Sequence, residues 1–161
     1  MCFRGRIQVT AELKKKGWPG ELGCKLCGEP ESACHLIFGC PISHFCWWWF
    51  SDALGWVRPP ASFDDACSLV LNGPGVSSNF CGWAVIGALA WSIWLNRNDF
   101  VFNNKLCSSP TNIIFKTIGL LSQWTPVVSP KRKDKWAEMM GVLKTKASNL
   151  HFLASARRGI G

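Results

Sequence analysis

Residues 24–40 read CKLCGEPESACHLIFGC, and this stretch decides what kind of small protein the chain can build. It places four metal-binding side chains at the spacing Cys24-x2-Cys27-x7-His35-x4-Cys40. Two cysteines separated by two residues can direct both sulfur atoms at one ion, because a tight turn brings their side chains together. Three thiolates and one imidazole complete a tetrahedral shell around Zn²⁺ and leave no position for water. The stretch therefore predicts a structural zinc site.

Local signals predict how the ligands converge. Gly28 suits the turn that follows Cys27. The tripeptide Pro30-Glu31-Ser32 is typical of the first turn of a short helix, which would carry His35 and end at Gly39. We expect a small knuckle packed against helices.

The cysteines could also have roles other than zinc binding. The chain has nine, and they could be ordinary buried thiols or disulfide partners. The sequence lacks a basic segment followed by an apolar run and a small-residue cleavage site, which predicts an intracellular protein, nuclear or cytoplasmic, and favours zinc over disulfides. Cys34, His44 and Cys46 lie nearby but fit the knuckle less simply, and we expect them on a helix face or in the core.

Composition and charge indicate a globular, basic protein. The 161 residues are 48% hydrophobic and include ten Trp and ten Phe, which argues against disorder. The formal charge is +8, and most of the surplus lies in residues 131–161. We predict three parts: a zinc-knuckle module with flanking helices at 1–58, a short helix and linker at 59–79, and a Trp-rich helical region with a basic last helix at 80–161.

Capping and periodicity predict helices in the first half of the chain. Thr10 is a candidate N-cap for a helix that runs to Lys16 and closes at Gly17. The segment 42–54 has the aromatic density of a buried helix, with Phe45, Trp48 and Trp49 at helical spacing and Gly55 as its end. Ser62 and Asp65 form a capping box for a helix that ends near Leu71. Residues 73–79 are the predicted linker.

The second half predicts three more helices. Residues 80–95 are almost entirely apolar, but sixteen residues fall short of the roughly 20 that a bilayer requires. We therefore predict a long core helix at 81–103, with Trp83, Gly87, Trp91 and Trp94 on one stripe. A helix after Pro110 repeats Ile114, Ile118, Leu121 and Trp124, and the last helix repeats Trp136, Met140, Leu143, Ala147 and Leu150. The predicted fold class is mainly α: a small Cys-Cys-His-Cys zinc knuckle followed by about four helices.

Two blocks of sequence resemble a known family. The phrase TAELKKKGWPG at 10–20, the knuckle itself, and HLIFGCP at 35–41 resemble the zinc-binding domain that follows the reverse transcriptase of plant non-LTR retrotransposons. The phrase WSIWLNRNDFVF at 91–102 is similar to the helix that follows this domain. The resemblance implies a C-terminal fragment of such a polyprotein. It also implies that Cys24, Cys27, His35 and Cys40 are the zinc ligands, whereas Cys34 stands where the family commonly has an acidic or polar residue.

The sequence predicts no enzyme, because the catalytic acids of a reverse transcriptase are missing. Phe63-Asp64-Asp65 is the one candidate, but the polymerase loop places a residue between the aromatic side chain and the acids. One acidic pair without further carboxylates cannot hold two Mg²⁺ ions. We interpret these acids as the charged first turn of a helix.

The remaining hypotheses are non-catalytic, and the first of them is binding of nucleic acid. In this hypothesis the phosphates of single-stranded RNA or DNA are contacted by four lysines, Lys14, Lys15, Lys16 and Lys25, and Trp18 stacks on the bases. The alternative for the lysines is a face that is simply solvated. The alternative for Trp18 is that its ring covers the knuckle. A second hypothesis is a zinc-stapled structural or protein-interaction fragment that self-associates through exposed apolar helices. A third is a degenerate open reading frame without selected function. A membrane partner is not expected.

Overall fold

Helices build the part of the chain that the computed structural model describes, namely residues 9–17, 19–20, 23–72, 79–103 and 109–158. Its α-helices are α1 Thr10–Lys15, α2 Pro41–Leu54, α3 Phe63–Asn72, α4 Asn79–Asn103, α5 Thr111–Trp124 and α6 Lys133–Arg158. A π-helical turn, His35–Gly39, precedes α2, and two short 3₁₀ turns, Thr125–Val127 and Pro130–Arg132, link α5 to α6. Within these ranges the only strand-like pairing is an isolated antiparallel bridge between Gly23 and Pro30. The predicted mainly α fold is confirmed.

Helix α4 lies at the centre of the packing. It contacts α2, α3, α5, α6 and the π-helical turn. Its Val85, Leu89 and Ile93 are buried in one hydrophobic core that also contains side chains from the knuckle segment and from α6. The division into parts at 1–58, 59–79 and 80–161 stays a prediction, but the knuckle and the long helices share this core.

The buried face of α2 agrees with the predicted one at Trp49 but differs from it at Phe45 and Trp48. Phe45 and Trp48 are 40% and 54% exposed, whereas Trp47, Trp49 and Phe50 are buried. Because α2 is apolar around most of its circumference, periodicity alone does not select a face. Tertiary contacts select it instead: the Trp47 ring stacks on Phe38 at a centroid distance of 5.4 Å. The Trp47 indole N–H also donates to a buried carbonyl, that of Ile37, at 2.7 Å.

Helix α4 begins two residues earlier than predicted and turns the Trp83, Gly87 and Trp91 stripe outward, while Trp94 is half-buried. The buried side instead carries smaller side chains, because several helices approach α4 closely. At Gly82 an added Cβ would lie 2.8 Å from Val70 Cγ2. No helix in the described ranges is long and apolar enough to cross a membrane.

The predicted helix ends are partly correct. The N-cap of α1 is the extended Val9 and not Thr10, which is already helical. Gly17 and Gly55 have φ of 83° and 73°, the left-handed conformation expected at these two helix ends. The Ser62 hydroxyl accepts the Asp65 N–H at 3.2 Å, so this predicted cap is confirmed.

The Asp65 carboxylate has a role that the capping pattern did not reveal. It accepts two hydrogen bonds from the Arg58 guanidinium and one from the Ala61 N–H. The Arg58 guanidinium holds the pKa of Asp65 below its usual value. The predicted linker falls largely on residues 73–78, which lie outside the described part.

The predicted faces of the last two helices are mostly correct. On α5, Ile114, Ile118 and Leu121 are buried and Trp124 is half-buried. On α6, the predicted positions from Trp136 to Ala147 are buried and Leu150 is half-buried. Apart from Phe115 and Val142, the large side chains exposed on these two helices are mostly polar, so the apolar periodicity identifies one side.

Two glycines on α4 provide a matched test of this packing. Gly82→Ala should lower the free energy of unfolding by about 1–2 kcal/mol, because overpacking against Val70 outweighs the better helix propensity of alanine. Gly87→Ala, at an exposed position with open space around it, should raise that free energy by about 0.5–1 kcal/mol. Urea denaturation of both variants measures the difference, and equal effects would contradict the observed packing.

Candidate metal centre

The first two candidate ligands lie in a tight turn. The Gly28 N–H donates to the Cys24 carbonyl at 2.7 Å, and the Cys24 N–H donates to the Glu29 carbonyl at 2.6 Å. Gly28 has a φ of 87°, which a residue with a side chain rarely adopts. The bridge between Gly23 and Pro30 closes the base of the turn. Cys24 and Cys27 are thereby held on the same side of a small hairpin.

The other two candidate ligands flank the π-helical turn. The Cys40 N–H donates to the His35 carbonyl at 2.6 Å, a bond that spans five residues. In this wide turn, side chains five positions apart lie on nearly the same side, whereas an α-helix would separate them by about 140°. The turn therefore directs His35 and Cys40 toward the hairpin.

The helix around His35 starts later than predicted. Helical backbone begins at Ala33, and the Ser32 hydroxyl accepts the His35 N–H at 3.0 Å, as an N-cap does. The predicted first turn at residues 30–32 is wrong, because Pro30 is used to close the hairpin. Gly39 is the last residue of the turn, as predicted.

These elements bring together the four side chains that the sequence selected. The sulfur atoms of Cys24, Cys27 and Cys40 and a ring nitrogen of His35 all lie within 4.8 Å of one another. A tetrahedral Zn²⁺ with Zn–S bonds of about 2.3 Å and a Zn–N bond of about 2.0 Å separates its ligand atoms by about 3.5–3.8 Å. The donor set and the spacing both fit zinc. Elsewhere in the described ranges no other group of three or more His, Cys, Asp or Glu side chains is clustered in this way.

Hydrogen bonds make the three thiols unequal. The interaction between the neighbouring thiols of Cys24 and Cys40 lowers the pKa of Cys40 and raises the pKa of Cys24. The backbone N–H groups of Ile42 and Ser43, at the start of α2, also lower the pKa of Cys40. Burial raises the pKa of Cys27. The start of α2 therefore favours thiolate at Cys40, the form in which cysteine binds metal.

The ligand segment is anchored to the core through α2. The Ser43 hydroxyl donates to the Leu36 carbonyl at 2.6 Å, and the Trp47 indole N–H binds the next carbonyl along the turn. Leu36, Ile37 and Phe38 are all buried. Two side-chain hydrogen bonds and an aromatic stack thus hold the π-helical turn against α2.

A buried ion pair anchors the same segment to α4, and the sequence reasoning missed it. Arg97 donates from Nε to Glu31 Oε2 at 3.2 Å and from Nη2 to Glu31 Oε1 at 2.8 Å. Both side chains are fully buried, and Arg97 Nη1 also donates to Asn98 Oδ1 at 3.1 Å. A usable signal was present: Arg97 is the first charged residue after a long apolar run, and such a residue on a core helix needs a partner.

The remaining predicted site residues lie outside the cluster. Lys14, Lys15 and Lys16 are exposed at the end of α1, and Lys15 forms an ion pair with Glu12 at 2.7 Å. Lys14 Nζ lies 3.5 Å from the carbonyl oxygen of Gly20. Lys25 is half-buried within the knuckle turn. The predicted stacking residue Trp18 lies outside the described part of the chain.

Three neighbouring side chains that competed for the ligand role also lie outside the cluster. Cys34 is exposed, and so is His44. Cys46 is buried, and its thiol donates to the Pro110 carbonyl at 3.6 Å. These positions agree with the predicted helix-face and core roles.

Comparison with known proteins identifies the N-terminal segment. Residues 1–47 match the model of a family described as zinc-binding in reverse transcriptase. The match contains all four clustered side chains and confirms the resemblance that the motif predicted. No curated protein and no solved structure is significantly similar to this chain.

Removal of a ligand tests the metal assignment. Cys27→Ser or Cys40→Ser should reduce bound zinc from about one ion per chain to a small fraction, because a serine hydroxyl is a poor ligand for zinc. Residues 20–41 should lose protection from hydrogen exchange first. The matched control is Cys34→Ser, which should keep its zinc. Native mass spectrometry measures the metal content, and full zinc occupancy in both ligand variants would refute the assignment.

The buried ion pair predicts a large and asymmetric loss of stability. Glu31→Gln leaves the Arg97 guanidinium buried without a counter-charge, which should lower the free energy of unfolding by about 3–5 kcal/mol. Asp99→Asn removes one charge from the exposed Asp99–Lys116 pair and should cost at most about 1 kcal/mol. Urea denaturation of the zinc-loaded proteins, followed by tryptophan fluorescence, gives both values. Similar losses in the two variants would contradict the structural role of the buried pair.

Proposed function

We propose that this protein is a non-catalytic, zinc-stapled module that binds single-stranded RNA or DNA. The observation that carries the proposal is the Cys₃His cluster, which lies within a segment that matches a zinc-binding family of reverse transcriptases. A site with four protein ligands leaves no open coordination position, so the ion would hold the knuckle in shape and take no part in chemistry.

Charge supports a polyanionic partner. The formal net charge of the chain is +8, and a positively charged surface gains affinity for nucleic acid when counterions are released from the phosphates. Before the knuckle in sequence, Lys14 and Lys16 are exposed, and Lys25 lies between the candidate ligands Cys24 and Cys27. Successive residues on a helix point about 100° apart. The run of three lysines therefore offers one or two phosphate contacts on any one side, and Glu12 offsets the charge of Lys15.

The proposal predicts weak, salt-dependent binding. The zinc-loaded protein should bind a labelled single-stranded RNA or DNA, and the logarithm of its affinity should fall linearly with the logarithm of salt concentration, at a slope of about −0.7 for each phosphate contact. Lys14→Glu with Lys16→Glu should reduce affinity and flatten the slope. Fluorescence anisotropy between 50 and 200 mM salt, about the range over which this effect is large, provides both numbers.

A control variant with the same net charge distinguishes binding at the α1 lysines from general electrostatic attraction between the protein and nucleic acid. Lys133→Glu with Lys144→Glu changes the net charge equally but lies on α6, where both side chains are exposed. This variant should bind more tightly than the α1 variant. Absence of binding by the wild-type protein at low salt would overturn the proposed function.

A second candidate function is self-association, and a groove between α4 and α5 favours it. The groove has a volume of about 510 Å³ and is walled by Trp91, Leu95 and Leu120, with Gly119 among its lining residues. Trp91 is 47% exposed there. Exposed apolar surface of this kind favours contact with another protein surface. Light scattering on the zinc-loaded protein tests this candidate, because a monomer at every concentration would eliminate it.

A further inference from the structure

Helix α2 exposes one of three consecutive tryptophans. Trp47 and Trp49 are buried, and Trp48 between them is 54% exposed. On an α-helix, positions i, i+4 and i+7 share one side, and Pro41, Phe45 and Trp48 are all exposed at this spacing. We call these three residues and Asp52, the next exposed position on the same side, the outer stripe of α2.

The outer stripe begins at the candidate metal centre. Pro41 directly follows Cys40, and the rise of an α-helix places Trp48 only about 10 Å further along the axis. Lys25 directly follows Cys24, whose sulfur lies within 4.8 Å of the Cys40 sulfur. The knuckle, with its half-buried lysine, therefore borders one end of the stripe.

The charges along the stripe are compatible with a phosphate chain. Asp52 is the only carboxylate in the α2 sequence, and Lys146 of α6 forms an ion pair with it. Lys146 Nζ also lies 5.4 Å from the centroid of the Trp49 ring. Because Lys146 offsets the Asp52 charge, phosphates next to the stripe would meet no uncompensated carboxylate on α2. His44 is exposed on the same part of α2 and adds no carboxylate there.

The size of the stripe distinguishes between kinds of partner. Aromatic side chains bury about 150–250 Å² each, so the exposed fractions of Phe45 and Trp48 offer on the order of 200 Å². A stable protein interface requires about 800 Å² from each partner. Two exposed rings near Lys25 are, by contrast, sufficient to stack individual bases, because every base has a π-face.

We propose that Trp48 and Phe45 form a stacking platform for unpaired bases of a single-stranded nucleic acid whose backbone lies against the knuckle. This inference rests on the proposed function and identifies its base-contacting residues. The platform is tolerant of sequence, because stacking recognises the face of a base and not its hydrogen-bonding edge. Lys25, next to Cys24, contacts a phosphate, and the bases lie on the outer stripe.

The test compares two exposed tryptophans. Trp48→Ala should weaken binding of a labelled single-stranded oligonucleotide by about 5- to 150-fold, the loss expected for one stacked base. Trp48→Phe should retain most of the affinity, since it preserves an aromatic face. Trp83→Ala is the control: Trp83 is also exposed but lies on α4, beside Phe63 at a ring-centroid distance of 6.3 Å, and its removal should leave affinity unchanged.

The outcomes separate this inference from the proposed function. If the wild-type protein binds and Trp48→Ala binds equally well, the platform is overturned and the proposed function stands. If the wild-type protein does not bind, both are overturned. If light scattering shows that Trp48→Ala abolishes a dimer while nucleic-acid affinity is unchanged, the stripe is a contact between copies of the chain. Thermal melting and zinc content of each variant verify that the fold is intact.

Discussion

The buried ion pair between Glu31 and Arg97 is the constraint on which the arrangement of the molecule depends. Burial of two charges is tolerated only when their geometry is nearly ideal, and here both carboxylate oxygens meet guanidinium N–H groups. Because Arg97 is buried on α4 and needs a counter-charge, the Glu31 carboxylate has to lie next to its guanidinium. The loop between Cys27 and His35 is therefore fixed relative to the helical core, independently of the metal.

Two kinds of restraint thus act on the same short segment. The turn hydrogen bonds determine the internal shape of the knuckle and cluster the four candidate ligands, whereas the ion pair and the contacts with α2 determine its placement. Cys40 takes part in both kinds of restraint, because it is one of the four clustered side chains and also the cap residue between the π-helical turn and α2. The pair also connects the segment that matches the zinc-binding family, which contains Glu31, with the long helix α4, which contains Arg97. The long helix thereby acts as the support for the knuckle.

Sequence reasoning succeeded where the signal was local. The ligand spacing, the Ser62 cap and the glycines at helix ends depend on a few neighbouring residues, and the structure agrees with them. The first turn at Pro30 failed because that residue pairs with Gly23 across the hairpin. The inward faces of α2 and α4 failed for another reason: both helices are apolar on nearly every side, so periodicity did not distinguish the core face from the outer one.

The sequence by itself determined which four side chains cluster, the helical class and the approximate helix bounds, because these follow from residue spacing and backbone preferences within one turn or one helix. Only the tertiary structure decided which tryptophans are buried and which remain exposed. It also decided that Glu31 and Arg97, 66 positions apart in the chain, share one buried site. These features depend on which helices approach one another, and an apolar helix offers several faces of similar hydrophobicity. The choice among them is made by specific contacts: a hydrogen bond to a turn carbonyl, a stacked ring and a paired charge.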